Sequence, residues 1–260
     1  MPKETPIRVL GIAALVCVAC SIVVSAASVG LRPLQQANKL RDKQRYILQS
    51  AGLDGIDSED DLAVLFRQIE GRVVDLETGQ FVPNLSPEDL ENGEAENRVT
   101  AIPAENDIAG LGQKPTLRPV YLVRDADCLQ RLILPVEGKG LWSTMHGFVA
   151  LGPDLTTIKT FCIYDHGETP GLGGEVSSPE WLALWDDKRA IDNEGQPLIQ
   201  VIKGAVDSQS PHADHQIDGI SGATLTGRGV MNLIHFWLGE QGYGPLLTNL
   251  RKGGDHVQGI

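Results

Sequence analysis

Val9 to Val29 runs without a single charged side chain. As a helix it measures about 30 Å, the thickness of a hydrocarbon core. A helix satisfies every backbone N–H and C=O within the segment, which lipid demands, and the length of the run suits one. A secretory signal has a shorter apolar region and a small-x-small cleavage site, which Ser25-Ala26-Ala27 meets in part. A lipoprotein signal calls for a branched apolar residue three positions before its cysteine, and Cys17 stands there relative to Cys20. The run is expected to remain as an uncleaved transmembrane helix. Lys3 and Arg8 precede it; Arg32, Lys39, Arg41, Lys43 and Arg45 follow. The basic residues alone would keep the C-terminal side in the cytoplasm, although large domains translocate regardless of such counts.

The chain has 260 residues, with 22 Lys and Arg against 34 Asp and Glu, a net charge of −12. That balance argues against nucleic acid, which calls for a basic patch. It suits a soluble domain held off an anionic bilayer. The 4 cysteines are too few and scattered for a disulfide scaffold. Cys17 and Cys20 share one face of the span, and Cys128 and Cys162 fall in strand-like segments, their pairing left open by the sequence.

Beyond the span, Arg32 to Ala51 reads as an amphipathic stalk helix, with Leu34, Ala37, Leu40 and Ile47 on its apolar face. Asp57 to Val64 reads as a helix start, and the acidic stretch Leu85 to Arg98 as an exposed, mobile loop. From Pro119 the pattern turns to β. Val120–Val123 and Leu129–Val136 are short apolar strands; Gly147–Leu151 and Thr157–Tyr164 flank a Gly152-Pro-Asp turn and predict a hairpin. Ser178-Pro179-Glu180 opens a helix carrying Trp181, Leu184 and Trp185, and Leu198–Ile202 is a further strand. The expected division is an N-terminal segment (1–8), a transmembrane helix (9–29), a helical stalk with an acidic insert (30–117) and a mixed α+β domain (118–260).

Chemistry concentrates in three small-residue segments. One is Gly138-Lys-Gly140-Leu141-Trp142-Ser143-Thr144-Met-His146-Gly147, another His166-Gly-Glu168-Thr169-Pro-Gly171-Leu172-Gly173-Gly174. Glycine in such loops lets backbone approach a flat ligand. The third is Asp218-Gly-Ile-Ser221-Gly222-Ala223-Thr224-Leu225-Thr226, ahead of the helical spacing of Val230, Leu233, Ile234, Trp237 and Leu238. Free N–H groups and the positive end of a helix dipole there favour phosphate. On its own, such a turn is more often a plain helix cap. None of the three is a Rossmann or Walker loop, and Ser221 does not stand in a nucleophile elbow. His212-Ala-Asp214-His215 falls short of a metal site, and Glu168 near His166 reads as a surface or ligand contact rather than an acid–base pair.

Taken in order, Gly140-Leu-Trp142, Glu168-Thr-Pro-Gly-Leu-Gly173 and Asp218…Ser221-Gly-Ala-Thr224 resemble FMN-binding domains that carry their flavin covalently. With Gly30-Leu-Arg-Pro-Leu-Gln-Gln-Ala-Asn-Lys39 just after the span, the chain resembles the C subunits (NqrC) of sodium-translocating NADH:quinone oxidoreductases (Nqr) over nearly its whole length. The G subunits of Rnf electron-transfer complexes share the flavin motif but are less similar in the acidic insert and the post-span segment. The resemblance implies FMN tied by its phosphate to the Thr224 hydroxyl by a flavin transferase that reads Asp218, Ser221 and Gly222. Ala223 and Leu225 complete the motif, and Ser221 and Thr226 are expected beside the phosphate. Leu141, Trp142, Ser143 and Thr144, with Glu168, Thr169, Gly171, Leu172 and Gly173, are expected along the isoalloxazine and ribityl chain. It further implies an electron-relay component with no catalytic side chain of its own. Its partners would be the other membrane subunits, and its flavin domain would lie on the periplasmic side of a bacterial inner membrane. The contrasting possibility is a membrane-anchored module with no redox group.

Overall fold

The computed structural model describes residues 6–53, 59–93, 96, 98–126 and 128–253. Residues 1–5, Asp57, Glu94 and Asp127, each within a segment read above, lie outside them. The helix α1 is Pro6–Ala51, followed by α2 (Glu59–Phe66), β1 (Ile69–Asp75), β2 (Gln80–Phe81) and α3 (Pro87–Glu91). Then come β3 (Val99–Ala101), β4 (Gln113–Pro115), β5 (Leu117–Asp125), β6 (Cys128–Lys139), β7 (Thr144–Leu151) and β8 (Ile158–Asp165). The remainder is α4 (Pro179–Leu182), β9 (Gln200–Val201), β10 (Gln216–Ile217), α5 (Thr224–Leu238) and α6 (Gly244–Lys252). This is the expected α+β class behind an apolar helix.

The chain divides into two compact units, one up to Gln44 and one from Arg45. The first holds most of α1. Its most apolar 18-residue window has a mean hydropathy of 2.7 and none of it is buried, so by length and composition it can cross a membrane. The span and the stalk expected from sequence fall in one helix, with Pro33 inside it at the cost of a hydrogen bond.

The second unit is built on a six-stranded antiparallel sheet ordered β2-β1-β5-β6-β7-β8. Strand side chains alternate between faces, and the burial follows that period. Leu132, Leu134, Val149, Leu151, Phe161 and Ile163 pack on one face with Val230, Leu233, Ile234 and Trp237 of α5. Ile133, Phe148, Ala150 and Cys162 face the other way, onto Ile47, Leu48 and Ala51. The β7–β8 hairpin stands as expected from sequence.

Two differences have local causes. The acidic stretch is not wholly loop. Ser86 caps α3 by accepting from Asp89 N at 3.3 Å, and the Asp89 carboxylate accepts from Ser86 N at 2.7 Å, a reciprocal capping box. Leu198–Ile202 shrinks to the two residues of β9, paired in parallel with β10.

The ends of β5 and β6 bear on the site. The ladder between them starts at Tyr121↔Ile133, so Pro119 and Pro135 face each other where neither can donate. Arg118 fills the opening, donating to the Pro135 carbonyl at 3.3 Å and to Glu137 at 3.2 Å, with its guanidinium 4.4 Å from the Trp237 ring centroid. Trp237 Nε1 donates to the Glu137 carbonyl at 2.6 Å. Helix α5 is thus fixed against the end of β6, at the point where the chain enters the Gly140–Ser143 loop.

Candidate functional site

Glycine sets how close α5 comes to that loop. A Cβ at Gly229 would sit 2.6 Å from the Lys139 carbonyl, and one at Gly138 would sit 2.8 Å from Leu233 Cβ. Both positions demand a bare backbone, and the close approach sets the first turn of α5 beside the two glycine-rich loops. All three segments singled out in the sequence come together here.

Glu168 is the residue that joins them. Its Oε1 accepts from Trp142 N at 2.9 Å and Ser143 N at 3.3 Å, and its Oε2 accepts from Thr226 Oγ1 at 2.6 Å. The residue is 5 % exposed. Burial pushes its carboxyl up, but the Thr226 hydroxyl and the N–H groups of Trp142, Leu141 and Ser143 outweigh that and hold it below its ordinary 4.5. The neighbouring glycines make the room: a Cβ at Gly140 would lie 2.5 Å from Glu168 Oε1, and one at Gly173 2.6 Å from Thr226 Oγ1. Ser143 Oγ closes the bracket by accepting from Gly167 N at 2.6 Å.

The second loop is folded by its own backbone. The Thr169 carbonyl accepts from Leu172 N at 3.1 Å and Gly174 N at 2.9 Å, and Gly171 takes a φ of +74°. His166 Nδ1 accepts from Glu168 N at 3.2 Å, which leaves the neutral ring's proton on Nε2, 2.9 Å from Ser177 Oγ. The His166 ring thus braces the Glu168 backbone, while the Glu168 carboxylate reaches the first loop and α5.

In the third segment Ala223 N donates to the Ile220 carbonyl at 3.1 Å, and Gly222 has a φ of +72°. This is a turn with glycine at its third position, where positive φ is needed. A Cβ on Gly222 would also meet Leu172 Cδ2 at 2.8 Å, so the turn rests against the second loop. Thr224 is the first residue of α5 and is exposed, as is Ser221. Among the described residues, no acid stands in the first turn and no side chain caps it. Thr226, expected beside the phosphate, turns inward instead: it is 1 % exposed and its hydroxyl is given to Glu168.

Around this turn Leu141, Trp142, Leu172 and Leu225 leave apolar side chains open to solvent, Trp142 70 % exposed. Thr144, at the start of β7, is exposed beside them in sequence. The sequence reading missed the other wall. A cleft of about 300 Å³ beside Thr224 is lined by Ile202, Lys203 and Gly204 as well as Ser221 and Gly222. Asp218 ties down the segment that carries that wall, its Oδ1 accepting from Val206 N at 2.8 Å. Only the contact of distant segments reveals it.

An anion-ready helix start with an exposed hydroxyl, flanked by exposed apolar surface and loops where glycine is obligatory, suits a phosphorylated planar ligand. The fold and site define an FMN-binding domain behind an apolar helix: the model of the family described as "FMN-binding domain" matches residues 140–239. The chain is 46% identical over 256 residues to the C subunit of the Na(+)-translocating NADH-quinone reductase of Pseudomonas aeruginosa, covering 96% of this chain and 98% of that one. It is 43% identical over 249 residues to the corresponding C subunit from Vibrio alginolyticus, covering 95% of each. The crystal structure of Shewanella oneidensis NqrC superposes with a TM-score of 0.73 at 33% identity, over 83% of this chain and 99% of that one. This chain belongs to the NqrC family, the C subunits of Na(+)-translocating NADH-quinone reductases.

Proposed function

We propose that this chain is the membrane-anchored flavoprotein subunit of a sodium-pumping NADH:ubiquinone reductase, with FMN joined through its phosphate to Thr224. The observation that carries this reading is the placement of Thr224, an exposed hydroxyl on the first residue of a helix whose first turn is uncapped and free of acids. The unpaired N–H groups and positive dipole end of such a turn favour an anion. In the attachment, the Thr224 oxygen bonds to the phosphorus of an activated flavin nucleotide held by a flavin transferase. The hydroxyl proton is lost, and the bond from phosphorus to the donor's leaving group breaks, with its electron pair going to that group. When bound, FMN supplies reversible electron storage.

The chain's own residues position and shield. Leu141, Trp142, Leu172 and Leu225 offer the apolar surface for the ring, and Ser143, Thr144, Thr169, Gly171 and Gly173 line its surroundings. Glu168 and Thr226 act from behind, holding the two loops on the helix start. Asp218, Ser221, Gly222 and Ala223 shape the turn that the transferase reads. No side chain needs to move a proton for such a relay between partner subunits. The Val9–Val29 run would anchor the chain in the inner membrane. The periplasmic placement of the 118–260 domain rests on family resemblance, against the basic-residue count.

The test is an intact mass of the chain co-expressed with a flavin transferase, followed by peptide mapping. A gain of one FMN less one water on the peptide holding Thr224 is expected. An unmodified mass beside a transferase shown to be active would overturn the reading.

A further inference from the structure

Among the described residues, the cleft beside Thr224 is lined by one charged residue, the exposed Lys203, and by no acid. On a chain with a net charge of −12 that is an unusual local balance. No ion pair or hydrogen bond ties Lys203 to another side chain among the described residues. Its backbone, by contrast, is fixed by the residues that precede the acceptor turn. Ile202 N donates to the Ile217 carbonyl at 3.0 Å and Gly219 N to the Gly204 carbonyl at 2.8 Å. Asp218 Oδ1 accepts from Val206 N at 2.8 Å. A Cβ at Gly219 would strike the Ile202 carbonyl, so only glycine lets the two segments lie this close. The Asp218-Gly219 pair therefore does more than mark the turn: it clamps the Lys203 segment beside it.

We propose that Lys203 is the counter-ion of the phosphodiester at Thr224, a positioning residue that draws the phosphate into this cleft. The inference rests on Thr224 being the flavin acceptor. A diester carries one negative charge, which a single ammonium and the α5 N-terminus together neutralise. Among the described residues, no aromatic one lines the cleft. The ring is thereby left to the side of Leu141, Trp142 and Leu172, and the phosphate is held at the other end of the ligand.

The test uses the full chain co-expressed with a flavin transferase, as wild type, Lys203→Met and Lys203→Arg. The initial rate of covalent flavin appearance is read by in-gel fluorescence, and the phosphorus NMR shift of each loaded protein is compared in low and high salt. Lys203→Met is expected to load about fivefold more slowly, the scale of one solvent-screened ion pair, and to lose the salt-sensitive part of the phosphorus shift. Lys203→Arg is expected to restore both. Equal rates and equal shifts for Lys203→Met and a loaded wild type would overturn the role of Lys203 alone. So would equal defects in the Met and Arg variants, since charge would then not matter. A wild type that carries no flavin would instead remove the Thr224 reading on which the proposal stands.

Discussion

Glu168 and Thr226 are joined by a 2.6 Å hydrogen bond in the interior, linking residues 58 apart in sequence. The other oxygen of the same carboxylate takes two backbone N–H groups from the Leu141–Ser143 loop. One buried side chain thus sets the distance between the helix start and both glycine-rich loops.

Replacing that side chain should separate shape from charge. Glu168→Ala leaves the Thr226 hydroxyl and the Trp142 N–H without their partner, and about 2–3 kcal/mol should be lost. Glu168→Gln keeps a carbonyl for the N–H groups and offers its NH₂ to the Thr226 oxygen, so about 1 kcal/mol is expected. Thermal unfolding of the detergent-purified chain reads both. Equal losses would mean that the bracket is held by packing rather than by these bonds.

The same carboxylate gives the domain an acid limb. Its pKa in the folded chain lies below its ordinary 4.5, because the bonds from Thr226 and the loop outweigh the cost of burial. Its contribution is therefore complete above about pH 4.5 and is lost as pH falls through the depressed folded value. Asp154 adds to this limb. Burial raises its carboxyl, but bonds from Thr157 and Thr156 bring it down to about 2. Melting temperature should be flat with respect to these groups from pH 7 to about 5 and decline below, less steeply in Glu168→Gln. Parallel declines in the two proteins would remove Glu168 from the account.

Strands β6 to β8 were legible because each alternates apolar residues buried on two faces, and the turn chemistry between β7 and β8 agreed. β1 was not, because Glu70, Gly71 and Arg72 interrupt its apolar residues. Its charges are absorbed by Glu70, which takes Arg72 at 2.5 Å and Arg124 at 2.9 Å. The acidic stretch read as loop from charge alone, while a capping box decided otherwise. At the site, composition located the loops and the acceptor turn. It could not tell that Thr226 points in while Thr224 points out, nor that Lys203 arrives from a separate segment. Both depend on where α5 begins, and the bare backbone at Gly229 and Gly138 sets its approach.

Glycines in the second loop should differ sharply. Gly173→Ala drives a methyl into Thr226 Oγ1 and Glu168 Oε2, at 2.6 and 2.8 Å, and should cost about 1–3 kcal/mol. Gly171→Ala meets no atom within 4 Å but must hold a φ of +74°, for about 1 kcal/mol. Unfolding of the two variants under one condition makes the comparison, and a larger loss at Gly171 would contradict the close approach at Gly173.

The cysteines of the sheet should behave as unpaired thiols of opposite reactivity. Cys162 faces Phe148 in β7, which faces Pro135 in β6, whereas Cys128 lies at the far start of β6. That is roughly 20 Å of strand, too far for a disulfide. Burial pushes the Cys162 thiol up to about 11, and Cys128 is exposed. In a Cys17→Ala/Cys20→Ala background, maleimide at pH 7 should label Cys128 at once and Cys162 only on unfolding. Equal labelling rates would contradict the burial of Cys162.

Two threonines two residues apart in the first turn of α5 should fail in different ways. Thr224 is exposed, and no hydrogen bond of its side chain supports the fold among the described residues. Thr224→Val should leave the stability within about 0.5 kcal/mol of wild type and abolish flavin that survives denaturing electrophoresis. Thr226→Val has the same shape change but removes the hydroxyl that Glu168 Oε2 accepts, leaving a buried carboxylate oxygen unpaired. It should cost about 1–3 kcal/mol. It should still accept flavin on whatever fraction folds, since its side chain does not reach the surface. If Thr226→Val folded normally and lost flavin while Thr224→Val kept it, the roles of the two hydroxyls would be reversed. The inward turn of Thr226 would then have to break before flavin could attach.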